Sequence, residues 1–313
     1  MTPQLVPIPF NRYAQTVLPH THELWGHSQT LDEYVERNKR LAQSPYGKKH
    51  YTLFALEDGG NVLASFKRYE RDARIGSERL RAIGIGAVFT PEASRGNGNA
   101  TAMLAMALDA ARAQGFDFAF LYSDIHPQFY RQLGFLELPS RAISVRADGF
   151  TAARVRVEPV TTRDWTALRE TFDAMERERP FAFSRSPLFW SLVRLRAENG
   201  DNFVVREGKS IAAYLLGRRE PRHDAYVVDE LAYADDAYKP FAEALLRSAA
   251  GDLRRITGWL PPLPARKLLP RGSVRARTQA MLMAAPLSKA GKRYVDAAAE
   301  RSPGDPVWIA DHV

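Results

Sequence analysis

The chain contains no cysteine, which excludes disulfides, thiolate metal sites and a cysteine nucleophile together. It also lacks an apolar run of the ~20 residues that a bilayer-spanning helix needs, so no membrane partner is expected. Met1 to Phe10 holds Pro3, Pro7 and Pro9 and no basic stretch leading into an apolar core. That is not the form of a secretory signal, and the expected location is the cytoplasm. Histidine is sparse. Its one cluster, His20, His22, Glu23 and His27, sets His22 and His27 one residue further apart than the helical H-E-x-x-H pair, whose histidines share a face. No metal is expected.

What is present describes a folded chain. With 313 residues, 45% of them hydrophobic and 26% charged, there is room for two domains, each with its own core. The formal charge of +8 raises the question of nucleic acid. Most arginines, such as Arg68, Arg71, Arg154, Arg218 and Arg254, are scattered, often beside acids. The clearest basic cluster is Arg266, Lys267, Arg271, Arg275 and Arg277. Solvated faces account for this better than a binding groove, and no specific nucleic-acid partner is expected.

One stretch organises the rest. Ile83 to Phe89 is an apolar run that stops at Pro91, a residue unable to donate to a sheet ladder. From Ala100 the residues Ala102, Met103, Leu104, Ala105, Met106, Ala107 and Leu108 form helix strongly. Between strand and helix lie Arg95, Gly96, Asn97, Gly98 and Asn99. The two glycines admit conformations closed to residues with a Cβ. Successive amides there, followed by the unpaired N–H groups of a new helix, form a concave anion site suited to phosphate, with Arg95 adding donors. A flexible surface turn is the plainer alternative. The loop is not a P-loop, since no Gly-Lys-Ser/Thr closes it, and it lacks the three-glycine dinucleotide spacing.

Arg95-Gly96-Asn97-Gly98-Asn99-Ala100 resembles the R/Q-x-x-G-x-G/A loop of the GNAT acetyltransferase superfamily, and Tyr130-Arg131-Gln132-Leu133-Gly134-Phe135 resembles its second element, Y-x-x-x-G-F. The resemblance implies acetyl-coenzyme A as co-substrate, with its pyrophosphate held by Arg95, Gly96, Asn97, Gly98, Asn99, Ala100 and Thr101. Its pantetheine arm would lie beside Val88 and Phe89, with Asp124 near the cofactor. It implies Tyr130 as general acid toward the departing thiolate, a role that a phenol of pKa near 10 suits. It also places Glu23, Trp25 and His27 at the border of the acceptor pocket, as lining or as surface.

Taken in order, the chain is expected to run through helices Asn11–Leu18 and Leu31–Ala42, a hairpin turning at Asp58-Gly59-Gly60-Asn61, the organising strand and helix, and a strand Phe116–Leu121. Leu136–Val145 is expected to supply the closing strands. From about Arg154 the pattern restarts, with a second hairpin turn at Glu207-Gly208-Lys209-Ser210, a second organising strand at Ala225–Tyr233, a tail helix at Ala290–Ala299 and a final strand at 307–310. The expectation is α/β: two tandem GNAT-like domains, each a mixed, mostly antiparallel sheet flanked by helices. Residues 1–150 would be the catalytic domain binding acetyl-CoA and 151–313 a degenerate copy, because Asp235 and Asp236 replace the glycines and repel a pyrophosphate. This arrangement is similar to the first two domains of the enhanced-intracellular-survival acetyltransferases, without their third, sterol-carrier-like domain.

The implied reaction moves acetyl from acetyl-CoA to a primary amine, on a small molecule or a peptide, by direct attack in a ternary complex. The organising strand offers no carboxylate as base. Glu23, Glu92 and Asp124 stay open, as does the terminal carboxylate that the survival-type enzymes use, here at Val313. The main-chain amide near Val88 or Phe89 is placed to hold the thioester oxygen. The missing strand carboxylate motivates a different reading, a CoA-binding sensor or scaffold without turnover.

Overall fold

The computed structural model describes residues 2–125, 127–150, 155–177, 179, 181–259, 274–301 and 307–313. The first part comprises β1 (Gln4–Pro7), α1 (Phe10–Thr16), α2 (Leu18–Trp25), α3 (Leu31–Gln43), α4 (Gly47–His50), β2 (Tyr51–Asp58), β3 (Asn61–Ile75), β4 (Glu78–Phe89), α5 (Asn99–Ala113), β5 (Phe118–Ser123), α6 (Gln128–Arg131), β6 (Leu136–Glu137) and β7 (Arg141–Arg146). The second comprises β8 (Val157–Pro159), α7 (Trp165–Glu176), β9 (Phe181–Ser184), α8 (Pro187–Ala197), β10 (Phe203–Glu207), β11 (Ser210–Glu220), β12 (Ala225–Tyr233), α9 (Lys239–Ala250), β13 (Arg255–Trp259), β14 (Val274–Ala276), β15 (Met281–Pro286) and α10 (Lys289–Arg301).

These form two mixed sheets flanked by helices, the architecture expected. The front sheet has the order β1-β2-β3-β4-β5-β15-β6, with β9 also pairing β3. The rear sheet has the order β14-β7-β13-β12-β11-β10-β8. Each contains one parallel pair, β4–β5 in front and β12–β13 behind, and is otherwise antiparallel. The hairpin turns are as expected: Gly59, Gly60 and Gly208 all take positive φ, which glycine adopts without a Cβ clash.

The sheets exchange strands. β7, expected to close the front sheet, instead pairs β13 behind, from Ala142↔Trp259 to Arg146↔Arg255. β15, from the far end of the sequence, slots between β5 and β6 in front. Its apolar residues suit a position buried on both faces, Met283 and Ala285 toward one core and Leu282 and Ala284 toward another. Two further differences concern helices. The segment between the first two expected helices is itself helical, α2, with Pro19 near its start, where a missing N–H costs nothing. The expected final strand at 307–310 is not a strand, and Ile309–Asp311 forms a 3-10 turn.

That turn is fixed by charge. Asp311 accepts a fork from Arg185, Nε to Oδ1 and Nη2 to Oδ2 at 3.0 Å each, and a third bond from Arg71 Nη2 at 2.9 Å. Arg185 also pairs with Glu230 of β12, which accepts from the Tyr214 hydroxyl. All of these side chains are buried. Burial alone would raise the Asp311 carboxyl, but Arg185 and Arg71 outweigh it and hold the group well below the usual carboxylate range.

Candidate active site

The parallel ladder between β4 and β5 ends at Ile85↔Leu121, while β4 runs on to Phe89 and β5 to Ser123. A bulge causes the parting. Lys67 of β3 faces Gly86 and Ser65 faces Phe89, so Ala87 and Val88 together oppose one residue, with Ala87 at φ 48°. The extra residue reverses the alternation of β4. Ile83, Ile85 and, past the bulge, Val88 pack with α5, whereas Phe89 packs with α1, α2 and α3 residues. Val88 and Phe89 thus flank the opening between the two strands.

β4 leads into a short 3-10 turn, Glu92–Ser94, and then the glycine loop. Gly96 and Gly98 lie at φ 77° and 74°, and a Cβ at either would meet nothing within 4 Å, so space is open on both. Gly98 is the N-cap of α5. The first amides of a helix have no acceptor within it and carry the positive end of its dipole. Arg95, Asn97 and Thr101 are exposed, and Asn99 and Ala100 half-buried. Arg95 Nε donates to the Thr90 carbonyl at 3.1 Å and Asn99 Nδ2 to the Ser94 carbonyl at 2.9 Å, which fixes the loop on both flanks. α5 is anchored beneath by Met103, Leu104, Ala107, Leu108 and Ala111, all buried.

Tyr130 lies on α6, just past the end of β5, and is buried in the same cluster as Ile85, Leu104 and Leu121, against which Val88 packs. The spacing of its motif has a physical cause. The Tyr130 carbonyl accepts from Leu133 N at 3.0 Å and Phe135 N at 3.2 Å, and Gly134 at φ 86° turns the chain back. The Phe135 ring then packs edge-on to Tyr130 at 6.0 Å. Burial, followed by the Asp124 carboxylate, pushes the Tyr130 phenol up to about 12. Asp124 itself caps the start of β15, accepting from Ala280 N at 2.8 Å.

The opposite face of β4 meets the tail, whose Val313 the sequence leaves open as a candidate base. A Cβ on Gly84 would stand 3.0 Å from a methyl of Val313, and one on Gly86 would stand 3.1 Å from the Val313 carbonyl carbon. The tail therefore threads between the sheets to this strand. The His312 ring lies tilted against Tyr122 at 4.5 Å, and burial, with Arg196 and Arg277, lowers it to about 3, so it is neutral. Tyr69, opposite Gly84, stands beside Val313, and Lys67, opposite Gly86, projects from the same strand. The signal for them was strand parity: Ser65, Lys67, Tyr69 and Arg71 alternate with residues facing α5. His20 stacks on Phe89, His22 Nε2 donates to the Gln29 carbonyl at 2.7 Å, and Glu23 and His27 are exposed. Among the described residues, no group of three His, Cys, Asp or Glu is placed to hold a metal.

The rear sheet repeats the bulge but not the glycine loop. Leu216 faces Glu230 and Gly217 faces Val228, so Asp229 is the extra residue, and the ladder to β13 reaches Val228↔Gly258. Here the Ile309–Asp311 turn packs against β12. The loop before α9 exposes Asp235 and Asp236, and Asp235 Oδ1 takes the Ala237 amide at 2.8 Å. Of the basic cluster, Arg266, Lys267 and Arg271 lie outside the described residues, and Arg277 stacks on Trp259 at 3.8 Å.

Residues 12–137 match the model of an acetyltransferase (GNAT) domain. Among solved structures, a GCN5-related N-acetyltransferase from Anabaena variabilis is 15% identical with a TM-score of 0.74, over 92% of this chain and 74% of that one. One from Kribbella flavida is 18% identical with a TM-score of 0.70, over 91% and 72%. Eis1 from Mycobacterium abscessus is 14% identical with a TM-score of 0.54, over 83% and 72%. No curated protein matches the chain.

Proposed function

Because residues 12–137 belong to the GNAT acetyltransferase family, we propose that the protein is an acetyl-CoA-dependent N-acetyltransferase whose cofactor site lies in the front sheet alone. The observation that carries this is the continuity of the parted strands with the glycine loop: β4 leaves β5 after Ile85 and runs directly into Gly96, Gly98 and the N-terminus of α5.

The open space over both glycines and the unpaired first amides of α5 fit a diphosphate, with Arg95 and Thr101 at its rim. The gap past Ile85 and Leu121 fits an extended amide-bearing arm, which can pair with the free edge of β4 near Val88 and Phe89. Acetyl-CoA supplies an activated acyl carbon. The main chain at Val88 or Phe89 polarises the thioester oxygen. Tyr130 gives its phenolic proton to the departing thiolate, and its raised pKa keeps that proton in place across the physiological range. The attacking nitrogen, a primary amine, arrives from the face of Gly84 and Gly86. The Val313 main chain lies against Gly86 on that face. Residues 151–313 act as a degenerate second unit that donates a strand and the tail.

Isothermal titration with acetyl-CoA tests the cofactor site, and release of free thiol in the presence of an amine panel tests the chemistry. Absence of binding heat defeats the proposal. Binding without thiol release from any amine leaves a CoA-binding sensor in its place.

A further inference from the structure

Acetyl transfer as described leaves Lys67 without a task, yet the fold holds it in a costly place. Its side chain is 8% exposed and projects from β3 directly opposite Gly86, on the face away from α5. An ammonium has three donors. Lys67 uses one on Asn38 Oδ1 at 2.5 Å, and its Nζ lies 5.8 Å from the centre of the Tyr13 ring. No carboxylate side chain of the described residues pairs with it, and the Val313 main chain against Gly86 on the same face forms no ion pair with it. A buried cation without a counter-charge is unfavourable unless something compensates it.

The surroundings add to the deficit of negative charge. Arg37 and Arg196 both act on Lys67. Arg37 donates to the Trp25 carbonyl at 2.9 Å and lies over the Tyr34 ring at 5.0 Å; Arg196 donates to the carbonyls of Ala310 and His312. The acids of α3, Asp32, Glu33 and Glu36, are exposed, with Glu33 bound into the capping box of Thr30. Glu57 is paired with Arg12. Beside Lys67 on the same face, the buried Ser65 and Tyr13 hydroxyls neighbour one another. Lys67, with Arg37 and Arg196 close enough to act on it, thus lies opposite the strand along which the acetyl group is proposed to sit.

We propose that Lys67, supported by Arg37 and Arg196, receives an anionic group of the acceptor, so that the substrate is an amine bearing a carboxylate or phosphate within a few bonds of its nitrogen. This rests on the acetyl-transfer reading above. Lys67 and Gly86 are direct partners in the β3–β4 ladder, which sets the anion site on the strand next to the one that carries the acetyl group.

The test compares amines that differ only in the anion: α- and β-amino acids against their carboxamides, and aminoalkyl phosphates against the matching amino alcohols. The expected result is a kcat/KM at least tenfold higher for the anionic member of one series, the better series identifying carboxylate or phosphate. Lys67→Met, and separately the exposed Arg37→Gln, should bring that ratio toward one through KM, with the heat of acetyl-CoA binding retained as evidence of an intact fold. Equal or better use of neutral or polycationic amines overturns the inference while acetyl transfer stands, as does a preference that survives in both variants. If acetyl-CoA binds and no amine is acetylated, the acetyl-transfer reading falls and takes this inference with it.

Discussion

Arg71 in the middle of β3 and Asp311 in the last turn of the tail form a buried ion pair at 2.9 Å that joins the front sheet to the segment carrying Val313. Asp311 also takes the fork of Arg185, so removing its charge leaves the buried Arg71 without its counter-ion and Arg185 with Glu230 alone.

Asp311→Asn keeps the shape and removes the charge, and should lower stability by about 3–5 kcal/mol, since breaking a buried pair leaves an uncompensated ion. Denaturant unfolding measures it. The depressed carboxyl also fixes an acid limb. Its contribution is complete above the unfolded carboxylate pKa near 4 and is lost as pH falls toward the lower folded value. The variant should lose less stability than the parent between pH 4 and 2.

Tyr130→Phe should reduce kcat by about 10²-fold or more while leaving acetyl-CoA affinity unchanged, the range typical of a lost general acid. With the phenol raised to about 12, the pH profile of the parent enzyme should show no loss of this acid up to about pH 10. A falling limb near neutrality that disappears in the variant would contradict the assignment.

Two glycines should respond differently to alanine. At Gly98 the cost is conformational: φ is 74° with open space around the Cβ position, so Gly98→Ala should cost about 1 kcal/mol and weaken acetyl-CoA binding. At Gly86 the cost is contact: the new methyl would meet Val313 at 3.1 Å and Tyr69 at 3.2 Å. Gly86→Ala should displace the tail and lower kcat with little change in acetyl-CoA affinity. Calorimetry and turnover together separate the two.

Lys67 predicts an alkaline gain. Burial first, then Arg37 and Arg196, lower its pKa to about 7. The unfolded chain, with an ordinary lysine near 10.4, therefore binds more protons than the folded chain between those values. Stability should rise with pH from about 7 to 10, with a slope of up to about 1.4 kcal/mol per unit from this group. Lys67→Met should flatten that segment of the curve.

The glycine loop was legible because its chemistry is local: Gly96, Gly98 and the helix formers after Ala100 carry their conformational demands in adjacent residues. The hairpins at Gly59-Gly60 and Gly208 were legible for the same reason. Partner choice between strands was not. β15 and β7 are short apolar stretches that suit any interior slot, and nothing in Met281–Pro286 specifies β5 as its neighbour. The Ile309–Asp311 turn was read as a strand because Val307, Trp308 and Ile309 favour one locally; the ion pairs of Asp311 with Arg71 and Arg185, at sequence separations of 240 and 126, decide otherwise. Lys67 was readable in principle from the parity of β3, but its burial depends on α1 and α3 covering that face.

The exchange of β15 into the front sheet governs how the protein is born. The outer edge of β5 stays without its neighbour until residues 281–286 leave the ribosome, a delay of roughly 10–30 s at 5–20 residues per second. Throughout that interval the newborn first half carries an unguarded apolar strand edge, the template on which chains aggregate.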